Sequence, residues 1–222
     1  MTLNPFPNYI AGTWAASSDT APNINPSDLN DTIGQYAQAS ANQTAQAIEA
    51  AAIAFPKWRA TSPLVRFEAL DRIGSEILAR VDELGDMLAR EEGKTLSEAK
   101  AEAHRAGHLF KYFSAETYRT TGDIYQSLRE GVSLKVLREP IGVVGVITPW
   151  NFPLAIPAWK IAPALAYGNT VVFKPAELVP GSAWMLSDII ARAGLPEGVF
   201  NLVMGKGGEV GEAIVTHPKV SG

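Results

Sequence analysis

Residues 141–222 alternate between short apolar runs and helical stretches, and this rhythm constrains the fold more than any other feature of the chain. Residues 141–147 are almost continuously apolar, as expected for a strand covered on both faces. Residues 156–167 carry helical spacing, and Gly168 suits a C-terminal stop. Residues 170–173 read as the next buried strand. Ser182 can cap a helix through Ala193 that Gly194 stops, residues 200–203 form a third strand, and residues 209–216 a third helix. Repeated βα units joined by short links predict a parallel sheet with helical crossovers.

The preceding part reads differently. Residues 1–39 are rich in Asn, Pro, Ser and Asp, with apolar pairs at Tyr9-Ile10 and Ile33-Gly34, which predicts turns and short strands. Ser40 and Gln43 have capping-box spacing ahead of Ala45, Ile48, Ala52 and Phe55, and Pro56 is expected to disturb the end of that helix. Ser62-Pro63 looks like an N-cap with proline at the first helical position. The stripe Leu64, Phe67, Leu70, Ile73 and Ile77 follows, and Leu84, Met87 and Leu88 extend it into a further helix that Gly93 ends. Glu91-Glu92-Gly93-Lys94 reads as a solvated helix end. Thr95 and Glu98 offer another capping box, opening a helix to about Tyr118. In residues 122–138, Val132, Leu134 and Val136 alternate with other side chains after Gly131, which predicts an antiparallel pair. It could serve as a surface hairpin or as an arm for oligomer contacts. The chain thus divides into strands and a helical layer (1–121), an antiparallel arm (122–140) and βα units (141–222).

Composition excludes several functions. The net charge is -4, with Lys and Arg dispersed, so no basic footprint for nucleic acid exists. No apolar run approaches the ~20 residues of a membrane helix. The first residues lack a basic region and an apolar core, so a cytoplasmic location is expected. There is no cysteine, hence no disulfide, no thiolate metal site and no thiol nucleophile within these residues. His104 and His108 have the i,i+4 spacing of a metal-binding pair but no HExxH context and no third ligand, so a solvated face is the simpler reading. Neither a GxSxG motif nor a P-loop is present.

In an open α/β sheet, ligands bind beyond the carboxyl ends of the strands. Three loops leave those ends here. The first, Thr148-Pro149-Trp150-Asn151-Phe152-Pro153, is stiffened by two prolines and holds an amide donor, Asn151, of the kind that stabilises an oxyanion. It would equally serve as a rigid turn. The second, Phe173-Lys174-Pro175-Ala176-Glu177, places a cation and a carboxylate where they could embrace a ribose or simply pair with each other. A Schiff-base role for Lys174 ranks low, because no neighbour in the sequence would depress its pKa. The third, Gly205-Lys206-Gly207-Gly208-Glu209-Val210-Gly211, could bring backbone N–H groups to a pyrophosphate, or be a flexible loop with close helix packing.

Residues 149–153 (PWNFP), 168–177 (GNTVVFKPAE) and 194–201 (GLPEGVFN), in this order and at these separations, resemble the aldehyde dehydrogenase superfamily, and the likeness covers essentially the whole chain. The resemblance implies an α/β fold: a Rossmann-like parallel sheet of the aldehyde dehydrogenase type, incomplete here, preceded by a helical layer and an antiparallel oligomerisation arm. It implies that Asn151 stabilises an oxyanion and that Ile147, Thr148, Pro149, Trp150 and Asn151 itself line a cleft for NAD, with NADP possible. Lys174, Pro175, Ala176 and Glu177 would hold the adenosine ribose, and Gly207, Gly208 and Gly211 would lie near the adenine and pyrophosphate. No metal is implied. The partners implied are an aldehyde, with wording close to bacterial 2-oxoglutarate semialdehyde enzymes, and further copies in a homodimer or homotetramer. Members are about twice this length. Their nucleophilic cysteine and general-base glutamate lie in the later half, so the sheet is expected to be unfinished, with an open edge.

Overall fold

The computed structural model describes residues 4–119 and 122–222. At its centre lies a five-stranded sheet in the order β2-β1-β9-β8-β7. Strands β7 (Val143–Ile147), β8 (Thr170–Lys174) and β9 (Phe200–Leu202) are parallel. β1 (Asn8–Ile10) joins β9 antiparallel, and β2 (Thr13–Ala15) extends that edge as a hairpin. The sheet is therefore mixed, with short strands from the polar amino-terminal segment closing one side. β3 (Asp19–Ile24) and β4 (Thr32–Gln38) form a separate antiparallel pair.

β8 explains why the sheet needs two covering layers. All five of its residues are buried. Val171 and Phe173 point into one core and Val172 into the other, following the two-residue period of a strand. The smaller core is closed by α1 (Ala41–Arg59) and α7 (Glu212–Thr216), the larger by α5 (Ala155–Ala166) and α6 (Pro180–Arg192). Behind α5 and α6 stand α2 (Pro63–Ala79), α3 (Val81–Glu92) and α4 (Leu96–Glu116). Buried Arg66 ties the layers, its Nε donating to the carbonyl of Ala166 at 2.9 Å. Beyond a short 3-10 turn, β5 (Asp123–Gln126) and β6 (Ser133–Val136) make the antiparallel ribbon. Every residue of both strands is exposed. No helix among the described residues is long and apolar enough to cross a membrane.

The Ser40–Gln43 and Thr95–Glu98 capping boxes form, as does the Ser62 cap with Pro63 behind it. Gly93 takes a left-handed φ of 80° at the end of α3. Five expectations need correction. Pro56 does not disturb the end of α1, which continues to Arg59. Trp58, 1% exposed, fills the core, and its burial outweighs the missing hydrogen bond. α6 starts at Pro180, so Ser182 lies inside the helix and does not cap it. The segment at 209–216 divides into a π turn (Gly207–Gly211) followed by α7. Residues 220–222 already pair alongside β7, with Ser221 N–H donating to the Val143 carbonyl at 2.8 Å and Gly145 N–H to the Gly222 carbonyl at 2.7 Å. That edge is thus partly paired rather than open. Finally, the Glu91–Lys94 segment is not a solvated helix end, because Glu91 is 3% exposed.

Candidate functional site

The parallel register gathers the three loops. Ile147 is the in-register partner of Lys174, and Phe173 of Leu202, so β7, β8 and β9 end side by side. Thr148, buried, donates its N–H to the Lys174 carbonyl at 3.2 Å, tying the first loop to the second. Pro149, Trp150 and Asn151 then emerge into solvent. Glu177, exposed, accepts the Gly207 N–H at 2.6 Å, tying the second loop to the third.

Lys174 and Glu177 do not pair directly. The Lys174 ammonium is buried and donates to the Pro175 carbonyl at 2.9 Å, while Glu177 turns to the glycine loop. Pro175 is buried and Ala176 half-buried between them. Burial lowers the Lys174 pKa, and the Glu177 carboxylate opposes the shift. Contrary to the sequence expectation, then, an influence that depresses this lysine does exist: the low-polarity end of the sheet. Across the gap, a Cβ at Gly211 would lie 3.8 Å from Lys174 Cδ, and one at Gly207 would lie 3.7 Å from Glu177 Oε1. One at Gly208 would meet nothing within 4 Å. Gly207 and Gly211 thus pack at ordinary contact distance from the carboxylate and the lysine, and of the three glycines Gly208 alone faces open space.

A second group of residues holds the first loop from behind. Glu102, buried on α4, accepts the N–H groups of Leu154 and Ala155 at 2.9 and 3.1 Å. A carboxylate at this position satisfies donors of the first turn of α5 and meets the positive end of its dipole. Lys94 pairs with Glu102 at 2.7 Å and with Glu92 at 2.9 Å. It also donates to the Asn151 carbonyl at 3.3 Å and sits 4.5 Å over the Phe152 ring. Asn151 is therefore fixed through its own backbone and through the residues on its carboxyl side.

Glu91 does the same for α6. Its carboxylate accepts the Gly181 N–H, the Ser182 N–H at 2.8 Å and an amide hydrogen of Asn23. This external cap explains why α6 needs no serine cap of its own. Burial pushes the Glu91 pKa up to about 7 against the opposing pull of those donors.

Sequence reading identified the loop residues but missed Glu91, Lys94 and Glu102. A signal was available. Glu91 falls at i+7 from Leu84 and i+3 from Leu88, and Glu102 falls at i+3 from Ala99, so both carboxylates ride on apolar, core-facing stripes. His104 and His108 lie side by side on exposed helix surface, their Nε2 atoms 3.3 Å apart. No group of three potential metal ligands exists among the described residues.

Known proteins resemble this chain in sequence and fold. The profile of the aldehyde dehydrogenase family matches residues 14–222. An α-ketoglutarate semialdehyde dehydrogenase of Haloferax volcanii is 40% identical over 214 residues, 96% of this chain and 44% of its own length. A protein of the same description from Bacillus subtilis is 40% identical over 220 residues, 98% of this chain and 45% of its own length. Among solved structures, an NADP-dependent enzyme of E. coli superposes with a TM-score of 0.94 at 37% identity, covering 97% of this chain and 45% of that one. A betaine aldehyde dehydrogenase of Staphylococcus aureus in complex with NAD+ superposes with a TM-score of 0.93 at 32% identity, covering 96% of this chain and 44% of that one. The chain spans about 45% of the length of such relatives. With likeness at this level across nearly all of its residues, the chain belongs to the aldehyde dehydrogenase family.

Proposed function

We propose that the chain is the cofactor-binding part of an NAD(P)+-dependent dehydrogenase that oxidises an aldehyde to a carboxylic acid. The observation that carries this is the convergence of the three loops at the ends of β7, β8 and β9, tied by Thr148 to Lys174 and by Glu177 to Gly207. The open space that Gly208 faces, beside the Glu177–Gly207 contact, suits the close approach of a pyrophosphate to backbone N–H groups. Ile147, Thr148, Pro149 and Trp150 line the cleft, and Gly207, Gly208 and Gly211 admit the adenine and pyrophosphate. Lys174 donates to a ribose hydroxyl and Glu177 accepts from the 2′- and 3′-hydroxyls, with Pro175 and Ala176 shaping the turn between them. A carboxylate facing the 2′ position favours NAD over NADP.

The nicotinamide, when bound, supplies the hydride acceptor. The chain's own contribution to the chemistry is the Asn151 side-chain amide, a donor aimed at the oxygen on which charge develops, with the Lys94–Glu102 pair holding its backbone still. A thiol nucleophile must come from residues outside this chain, which has no cysteine. A semialdehyde substrate, 2-oxoglutarate semialdehyde in particular, is supported by the descriptions of the Haloferax and Bacillus relatives. The exposed apolar side chains of β5 and β6, among them Ile124, Leu134 and Val136, suit an arm that pairs copies into a homodimer or homotetramer. A second reading, an inactive nucleotide-binding or oligomerisation module, is favoured by the same zero cysteine count if the chain acts alone.

The test is kinetic. Asn151→Ala in the complete dehydrogenase is expected to lower kcat about 10²- to 10³-fold, the loss typical of one oxyanion donor. A kcat within about threefold of the parent contradicts the role. The purified chain alone is expected to make no NADH from aldehyde, and steady NADH above a no-aldehyde blank refutes the outside thiol.

A further inference from the structure

His104 and His108 stand one turn apart on α4, both exposed, and neither has a place in the proposed dehydrogenase site. Side chains at i and i+4 of a helix share one face. Here the two rings meet through their Nε2 atoms, 3.3 Å apart, with ring centroids 4.4 Å apart and planes at 61°. That separation is long for a hydrogen bond from a ring N–H, and exposed imidazoles gain little from each other that water does not supply. It does match a chelate. Two nitrogens bound at about 2.0–2.1 Å to one tetrahedral ion lie about 3.3–3.4 Å apart. In neighbouring positions of a square-planar or octahedral ion, at similar bond lengths, they would lie about 2.8–3.0 Å apart. Both Nε2 atoms can ligate one ion when each ring carries its proton on Nδ1, and among the described residues no protein group bonds to either Nδ1. The nearby cations on α4 are engaged or turned elsewhere. Lys100, at i-4 from His104, is held by Asp82 at 2.8 Å. Lys111, at i+3 from His108, pairs with Asp71 and Ser75. Arg105 lines the cleft of about 390 Å³ that Glu102, Asn151 and Phe152 share.

We propose that His104 and His108 form a binding site for a divalent transition metal, zinc first, chelated by the two Nε2 atoms with water in the remaining positions. The site is independent of the dehydrogenase reading. Imidazole suits zinc, copper and nickel, whereas magnesium prefers oxygen ligands. The ring separation fits the tetrahedral preference of zinc better than the right-angled positions favoured by copper(II). No group of three potential metal ligands exists among the described residues, so the site is open and exchangeable, unlike a closed four-ligand structural centre. A bound ion clamps one turn of α4, the helix that also carries Glu102.

The test is a titration of the untagged chain, so that no added histidines compete, with zinc chloride. Binding is measured by calorimetry while the imidazole nitrogen resonances are followed by NMR. One zinc per chain is expected, with the Nε2 resonances of His104 and His108 shifting together and those of His217 unmoved. His104→Gln and His108→Gln are each expected to weaken zinc at least about tenfold, since even the partners of a metal ligand are worth that much. His217→Gln is expected to leave the affinity unchanged. Both α4 histidines are exposed, so these variants should keep the parent's circular dichroism spectrum. Magnesium chloride at the same concentrations is expected to move neither ring. Three results overturn the proposal: zinc binding as tightly to the double variant His104→Gln/His108→Gln as to the parent, zinc shifting only one of the two rings, or no saturable shift up to millimolar zinc.

Discussion

Replacing Glu102 tests whether the first loop is held from behind as described. The side chain is buried and serves three partners: the N–H groups of Leu154 and Ala155, and the Lys94 ammonium. Glu102→Ala leaves two amides without their acceptor, each costing roughly 1–3 kcal/mol. The adjoining cleft lets water replace part of what is lost, and Lys94 keeps Glu92, so the lower half of the range applies. The expected destabilisation is about 2–4 kcal/mol, a large share of the roughly 5–15 kcal/mol that holds a domain folded. Glu102→Gln keeps a carbonyl acceptor for the two amides and loses only the charge opposite Lys94, so about 1–2 kcal/mol is expected. Urea unfolding followed by circular dichroism gives both values as shifts in midpoint at constant slope. Hydrogen exchange at Leu154 and Ala155 should accelerate in Glu102→Ala and much less in Glu102→Gln. A Glu102→Ala shift under about 0.5 kcal/mol, the range of an inert surface change, refutes the reasoning. So does a glutamine variant as costly as the alanine one.

Glu91 carries a pH signature. Its native pKa, pushed up to about 7 from 4.5, means that between these values the folded chain holds a proton that the unfolded chain has released. Stability should therefore fall as pH rises through that window. Glu91→Gln should remove this slope and cost stability, since its amide nitrogen would face a backbone donor at Gly181 or Ser182; urea midpoints at pH 5, 6 and 7 check both, and identical slopes contradict the assignment. At the cofactor loops, Glu177→Ser should narrow the preference for NAD+ over NADP+ in equilibrium titrations. A parent that binds NADP+ as tightly as NAD+ would remove the proposed role of that carboxylate.

Much of this fold is legible from local rules. The apolar run of β8 announces a strand buried on both faces, and the capping boxes at Ser40 and Thr95 mark true helix starts. The three loops are legible too, because parallel topology alone brings strand ends together. What remained hidden depends on long-range partners. Pro56 sits within α1 because Trp58 is anchored in the core. Ser182 is displaced as a cap because Glu91, far away in sequence, accepts the amides at the start of α6. Lys94 and Glu102 look like ordinary surface charges until α4 is laid against α5. In each case the misleading residue obeys a local preference that a tertiary contact overrides. The place of β1 in the sheet was hidden for the same reason, because its neighbour β9 comes from the opposite end of the chain.

The central claim is that the loops leaving β7, β8 and β9 form one dinucleotide cleft with Asn151 at its rim. A titration of the purified chain with NAD+, followed through backbone amide resonances, tests it most directly. Saturable shifts are expected, concentrated at Thr148, Lys174, Glu177, Gly207 and Gly208 and weakened together by Lys174→Ala. Saturable binding of NAD+ that leaves these amides unmoved and perturbs another face of the molecule would contradict it.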